Sequence, residues 1–167
     1  MQRFADIVAY FENSSLADNI RENDLLFPLI ESMHVLSICL VVGSILAVDL
    51  RLLGLASTNR PVSRVTGSIL PLTWCAFVVA VGTGGLMFIS NAIKYLGNGY
   101  FIAKMLLIGA AGVNMAIFHA IGGRGLPRWE SEKRPPFPVQ LAGGLSIVLW
   151  ICVVACGRWI GFTMKTG

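Results

Sequence analysis

Four stretches of the chain run almost unbroken through Leu, Ile, Val, Ala, Gly and Phe: Phe27 to Leu50, Gly67 to Ala92, Tyr100 to Ile121 and Pro138 to Ile160. Each is long enough to cross a hydrocarbon core of roughly 30 Å, which takes about 20 residues of helix. Ahead of them the pattern changes. Phe4, Ile7, Val8 and Phe11 recur at i, i+3, i+4 and i+7, which predicts a short amphipathic helix over Arg3 to Phe11. Its stripe suits either the membrane surface or a cap packed on the loops. Gly122 to Pro138, GGRGLPRWESEKRPPFP, is rich in breakers and charge and reads as a connector. The pattern predicts an all-α fold, an integral membrane four-helix bundle with a short amphipathic N-terminal helix. Residues 1–24 form a surface segment, residues 25–162 the transmembrane domain, and 167 residues leave no room for a second domain.

Composition fixes the same class. Hydrophobic residues make up 55% and charged ones 13%, with a mean hydropathy of +0.72, far from the balance of a water-soluble domain. The first 24 residues lack the basic start and apolar run of a cleavable signal peptide. Orientation follows from Lys and Arg in short loops, which stay on the cytoplasmic side. Arg51, Arg60 and Arg64 lie between the first two stretches, and Arg124, Arg128, Lys133 and Arg134 between the last two. Both connections are therefore expected in the cytoplasm, and the N- and C-termini outside, as in a multi-pass protein of a bacterial inner membrane. The net charge of +4 is then a topology signal and gives no reason to expect nucleic-acid binding. Cys39, Cys75, Cys152 and Cys156 all fall within the apolar stretches and read as small packing side chains. Cys152 and Cys156 do share a helix face at i, i+4, the spacing of a soft-metal pair.

The candidate chemistry lies in the few polar groups inside the spans, where an ionisable side chain is costly and a functional role is the default hypothesis. The chain has two histidines, His34 and His119. At 1.5 Å per residue, His34 lies about 9 Å below the outer boundary, Lys104 about 6 Å and His119 about 28 Å. The histidines thus differ in depth by about 19 Å and belong to two polar layers. In the outer layer Glu31, His34 and Ser37 share one sector of the first helix, and Lys104 reaches the same level. Gly82, Gly84 and Gly85 either bring helices together or clear space for a flat cofactor, and Arg158 beside Trp159 ends the fourth helix on that side. An imidazole, a glycine-cleared wall and nearby cations suit b-type haem: an axial nitrogen for iron, room for the macrocycle and partners for its propionates. The same residues also suit a polar network that only holds the helices in register. In the inner layer Asp49, Arg51, Asn114 and His119 gather, His119 either as an interfacial residue or as a partner of Asp49.

LFPLIESMHVLSICLVVGSILAVDLRLLGLA, Leu26 to Ala56, together with AKMLLIGAAGVNMAIFHA in the third helix, resembles an uncharacterised family of small four-helix bacterial membrane proteins. More distantly it is similar to the HemJ-type protoporphyrinogen oxidase and to the membrane domain of CopD-type copper proteins. The shared positions are His34, Leu50 to Leu52, Lys104 and His119. The resemblance implies that His34 is an axial haem ligand and that Lys104 acts near it. One departure is that the oxidases carry Pro before the Arg and His soon after it, whereas this chain reads Val48-Asp49-Leu50-Arg51 with no following His.

The resulting expectation is a protein of the lipid bilayer that binds haem b through His34, with Lys104, Glu31, Gly84, Arg158 and His119 as cofactor-binding candidates. Its role would be electron transfer or a membrane oxidoreductase reaction, with a redox partner or a second copy of the chain supplying what one copy lacks. The rival expectations are a cofactor-free transporter or channel for protons, metal ions or a small solute, and a structural subunit of a membrane complex.

Overall fold

A computed structural model describes residues 9–10, 12–122, 132 and 134–164, and among them every regular element is helical. Helix α1 spans Ser15–Glu22, α2 Leu26–Leu52, α3 Val62–Ser90, α4 Ala92–Leu96, α5 Gly99–Ile117 and α6 Phe137–Thr163. A π-helical turn, Phe118–Gly122, continues α5. The amphipathic helix expected over Arg3 to Phe11 lies outside the described residues except at Ala9 and Tyr10, which are helical. Most of the connector Gly122 to Pro138 lies outside them too.

Four helices are long and apolar enough to cross a membrane: Leu26–Leu52, Val62–Ser90, Gly99–Ala120 and Phe137–Thr163. Their boundaries have local causes. Asn23 Oδ1 accepts from the backbone N–H groups of Leu25 and Leu26 at 3.0 and 3.2 Å, which satisfies donors that the start of α2 leaves without partners. The second span begins at Val62, five residues before the expected Gly67, because Pro61 sets the entry and the polar side chains that follow are absorbed by the helix. The hydroxyls of Thr66 and Ser68 donate to the carbonyls of Val62 and Arg64 at 2.6 and 2.9 Å. It ends at Ser90, where Asn91 leaves helical geometry, instead of at Ala92. Asn98 then caps α5, its side chain accepting from Tyr100 N–H at 2.9 Å. What decides the boundary is whether those hydroxyls find carbonyls within one turn.

The short α1, within the segment expected to lie on the surface, is capped by Ser14 and buries Ala17 and Ile20. Arg21 fixes it: its guanidinium donates to the Ser90 carbonyl at 3.3 Å and the Glu12 carbonyl at 2.9 Å and pairs with the Asp18 carboxylate. This marks the α1 end of the bundle. At the opposite end, the arginine end, Arg51 is fully buried; its Nε donates to the Arg60 carbonyl at 2.9 Å and its Nη2 to the Glu132 carbonyl at 3.1 Å. One side chain thereby ties both connections at that end to the last turn of α2.

The spanning helices form an arc. Helix α3 packs on α2, α2 on α6, and α6 on α5, while α3 and α5 do not pack along their length. The α2–α6 seam is closed by Gly143, where a Cβ would come within 3.1 Å of Leu52 Cβ and 3.2 Å of the Asp49 carbonyl oxygen. Across the open side, at the α1 end, Phe88 stacks on Phe101 with centroids 5.5 Å apart, and Tyr95 lies 5.3 Å from Phe101. Burial, and secondarily the charge of Glu31, pushes the Tyr95 phenol up from its ordinary value, so this aromatic bridge stays neutral. Below it the gap between α3 and α5 leads to the interior.

Candidate functional site

The half of the arc near α1 holds His34, on α2 and facing α3. Its Nδ1 lies 3.0 Å from Thr83 Oγ1. The Thr83 hydroxyl has one proton, and it points to its own helix, at 2.7 Å from the Val79 carbonyl and 3.3 Å from that of Ala80. Thr83 is therefore the acceptor toward His34, and the proton of the imidazole sits on Nδ1. On that assignment Nε2 carries the lone pair, and it has no side-chain hydrogen-bond partner among the described residues. Gly84 abuts the same ring: a Cβ there would stand 2.8 Å from His34 Cε1. The space Gly84 clears is thus occupied by the imidazole itself. At Gly82 and Gly85 a Cβ would meet nothing within 4 Å.

Lys104, on α5 across the arc, is half-buried and acts electrostatically on His34. Its Nζ is 3.7 Å from where a Cβ of Gly157 would lie, on α6. It makes no hydrogen bond or ion pair among the described residues. Glu31, expected to face the interior with His34 and Ser37, is exposed, whereas Ser37 is buried and donates to the Met33 carbonyl at 2.7 Å. The helix rotates from exposed to buried along this row, so Glu31 sits at the rim beside Tyr95. Arg158 is exposed, with its guanidinium 4.9 Å from the Phe162 ring centroid. The geometry brings His34, Thr83, Gly84 and Lys104 together and leaves Glu31 and Arg158 at the periphery.

His119 lies in the other half, on the π-helical turn, exposed, its Nδ1 2.9 Å from the Met115 carbonyl. It borders a cavity of about 240 Å³ between the four spanning helices, together with Asp49, Asn114, Ser146, Trp74 and Trp150. His34 does not line it. Cys152 and Cys156 are each half-buried and free. Among the described residues no group of three or more His, Cys, Asp or Glu is placed to hold a metal ion.

Sequence reasoning missed Thr83. The signal was available: Thr83 is seven residues from the end of α3, about 10 Å deep by helix rise, and so level with His34. It also missed the cavity, which depends on α3 and α5 standing apart.

Residues 24–163 match the model of a family of unknown function, DUF6644. No curated protein and no solved structure matches the chain.

Proposed function

The chain belongs to the DUF6644 family, and from that premise, which brings no assigned activity, we propose that it binds b-type haem in the membrane and serves electron transfer or a membrane oxidoreductase reaction. The observation that carries this reading is the contact of His34 Nδ1 with Thr83 Oγ1 at 3.0 Å. An imidazole whose Nδ1–H is held by a fixed acceptor, with the lone pair on Nε2, has the arrangement in which second-sphere hydrogen bonds orient an axial ligand. The donor set supports haem over a bare ion. A lone imidazole makes a poor cage for a metal ion, whereas a porphyrin brings four nitrogens of its own and asks the protein for one or two axial ligands.

In this reading His34 would hold the haem iron through its imidazole, and Thr83 holds the ring. Gly84 keeps the ring's place free, and Lys104 offers an ammonium to a propionate. Bound haem would supply one-electron chemistry. A second ligand would come from Lys104, a methionine such as Met33 or Met87, a second histidine brought by oligomerisation, or none. The distant likeness to HemJ-type and CopD-type proteins belongs to the same proposal. Because Val48-Asp49-Leu50-Arg51 departs from the oxidase pattern, porphyrinogen oxidation is not part of it. The cofactor-free transporter is the rival, and the bare ammonium of Lys104 is what favours it.

The test is the Lys104→Ala protein purified beside the wild type. If Lys104 is an axial ligand, the absorption bands shift; if it pairs with a propionate, occupancy falls at unchanged band positions. Wild-type protein without cofactor would leave the transporter reading.

For location, the proposal is a bacterial inner membrane with the arginine end in the cytoplasm. Reporters fused at Thr58 and Glu130 are expected to read cytoplasm, and one after Gly167 the outside. A cytoplasmic signal from the C-terminal fusion would invert the assignment and place the His34 site on the cytoplasmic side.

A further inference from the structure

We propose that the cavity at the arginine end is a binding site for a neutral, lipid-soluble aromatic molecule carrying hydroxyl donors, of the phenol or hydroquinone class, which enters from the bilayer between α3 and α5. The inference is independent of haem binding at His34.

The cavity, about 240 Å³, is walled by all four spanning helices, with Ile45 and Val48 from α2, Trp74 and Phe77 from α3, Phe118 beyond α5 and Trp150 from α6. An apolar chamber faced by aromatic rings, with a few convergent polar groups, is the ordinary form of a small-molecule site. Because α3 and α5 do not pack along their length, its natural approach is from the lipid.

Its polar groups constrain the ligand: beside the indole N–H groups of Trp74 and Trp150 and the hydroxyl of Ser146, the lining carries acceptors on Asp49, Thr66, Asn114 and His119. Asp49, at 5% exposure, borders the cavity; Ser146 stands beside its carboxyl group as a donor, and Oδ2 is buried with no hydrogen-bond partner among the described residues. The Thr66 hydroxyl donates to the Val62 carbonyl at 2.6 Å, which leaves its lone pairs, whereas the Thr73 hydroxyl is engaged with Ser44 Oγ at 2.8 Å. Asn114 donates through Nδ2 to the Ala142 carbonyl at 2.9 Å, leaving Oδ1. His119 sits 2.9 Å from the Met115 carbonyl through Nδ1; a carbonyl only accepts, so Nδ1 carries the proton and Nε2 accepts. Burying a carboxylate oxygen without a donor is costly, so a complementary ligand brings a donor to Oδ2. A hydroxyl brings such a donor without charge, an ammonium with it. Arg51, Arg60, Arg64 and Arg134 cluster at this end, and a charged ligand would have to leave water for the lipid-facing gap, so the neutral hydroxyl is selected.

The probe is 1,4-dihydroxynaphthalene, kept reduced, titrated into the full-length protein in lipid nanodiscs and read by quenching of tryptophan fluorescence, since Trp74 and Trp150 face the cavity. Saturable quenching is expected, with the 1,4-dimethoxy analogue at least tenfold weaker because it has lost its donors. Asp49→Asn should weaken the dihydroxy probe about tenfold, the size of losing a hydrogen bond to a charged acceptor. Gly112→Leu provides a second handle that spares the fold, because Gly112 lines the cavity and a Cβ there meets nothing within 4 Å; it should abolish saturable quenching. Equal binding of the dimethoxy compound, or binding untouched by Gly112→Leu, overturns the proposal. So does tighter Asp49-dependent binding of a naphthyl-ammonium probe than of the dihydroxy one. None of these readouts involves haem, so the haem proposal can fail while this one stands.

Discussion

His34→Ala protein purified from haem-replete cells is expected to be colourless, with haem per chain falling at least tenfold below wild type. If haem is bound as proposed, His34 would hold the iron, and no second imidazole lies at that depth to take over: His119 belongs to the opposite half, on the turn that follows α5. His119→Ala should keep wild-type haem content and band positions. Thr83→Val separates ligation from orientation. It removes the acceptor that fixes the Nδ1 proton while His34 remains, so haem should be retained with shifted bands or a shifted midpoint potential. Haem content in a pyridine haemochrome assay decides among these variants. Loss on His119→Ala with retention on His34→Ala would move the site to the layer of Asp49, Arg51, Asn114 and His119.

The second large effect is expected at Arg51. Arg51→Ala deletes a fully buried guanidinium that donates to the carbonyls of Arg60 and Glu132, the fastening between the end of α2 and both connections at that end. Hydrogen bonds from a charged donor contribute about 1.5–3 kcal/mol each, so the loss should be about 3 kcal/mol or more. By the size scaling for a chain of this length, that lowers the thermal midpoint by roughly 6–12 °C. Arg51→Lys, with the charge but without the planar fork, should recover less than half of the loss, because one ammonium cannot reach both carbonyls in the same geometry. Differential scanning fluorimetry in one detergent checks both variants; a midpoint within 2 °C of wild type for Arg51→Ala would show that the connections are held by other contacts.

The four spans could be read from hydropathy because the bilayer imposes their length, and the separation of His34 from His119 followed from helix rise alone. Which faces meet could not be read. The spans are apolar nearly all round, so periodicity carries no inward direction, and in lipid the order of helices is set by small residues and close packing instead of by a hydrophobic stripe. That is why Glu31 was expected to point inward with His34 yet lies exposed at the rim. Gly84 was legible as space, but whether the space was for a macrocycle or for the imidazole depends on the register between α2 and α3. The cavity at Asp49 was beyond reach for the same reason: it exists because Gly143 draws α6 onto α2 while nothing draws α5 onto α3 along its length.

Under the proposal, His34 Nε2 would be a metal ligand held ready by Thr83. The most direct test is the absorption spectrum of the wild-type chain, purified in detergent from haem-replete cells, before and after dithionite. A Soret band that sharpens on reduction, with resolved α and β bands, is the expected result. A spectrum with only the protein's aromatic absorption, from cells shown to be making haem, would contradict the account and leave His34 and Lys104 as the polar mouth of a cofactor-free pathway.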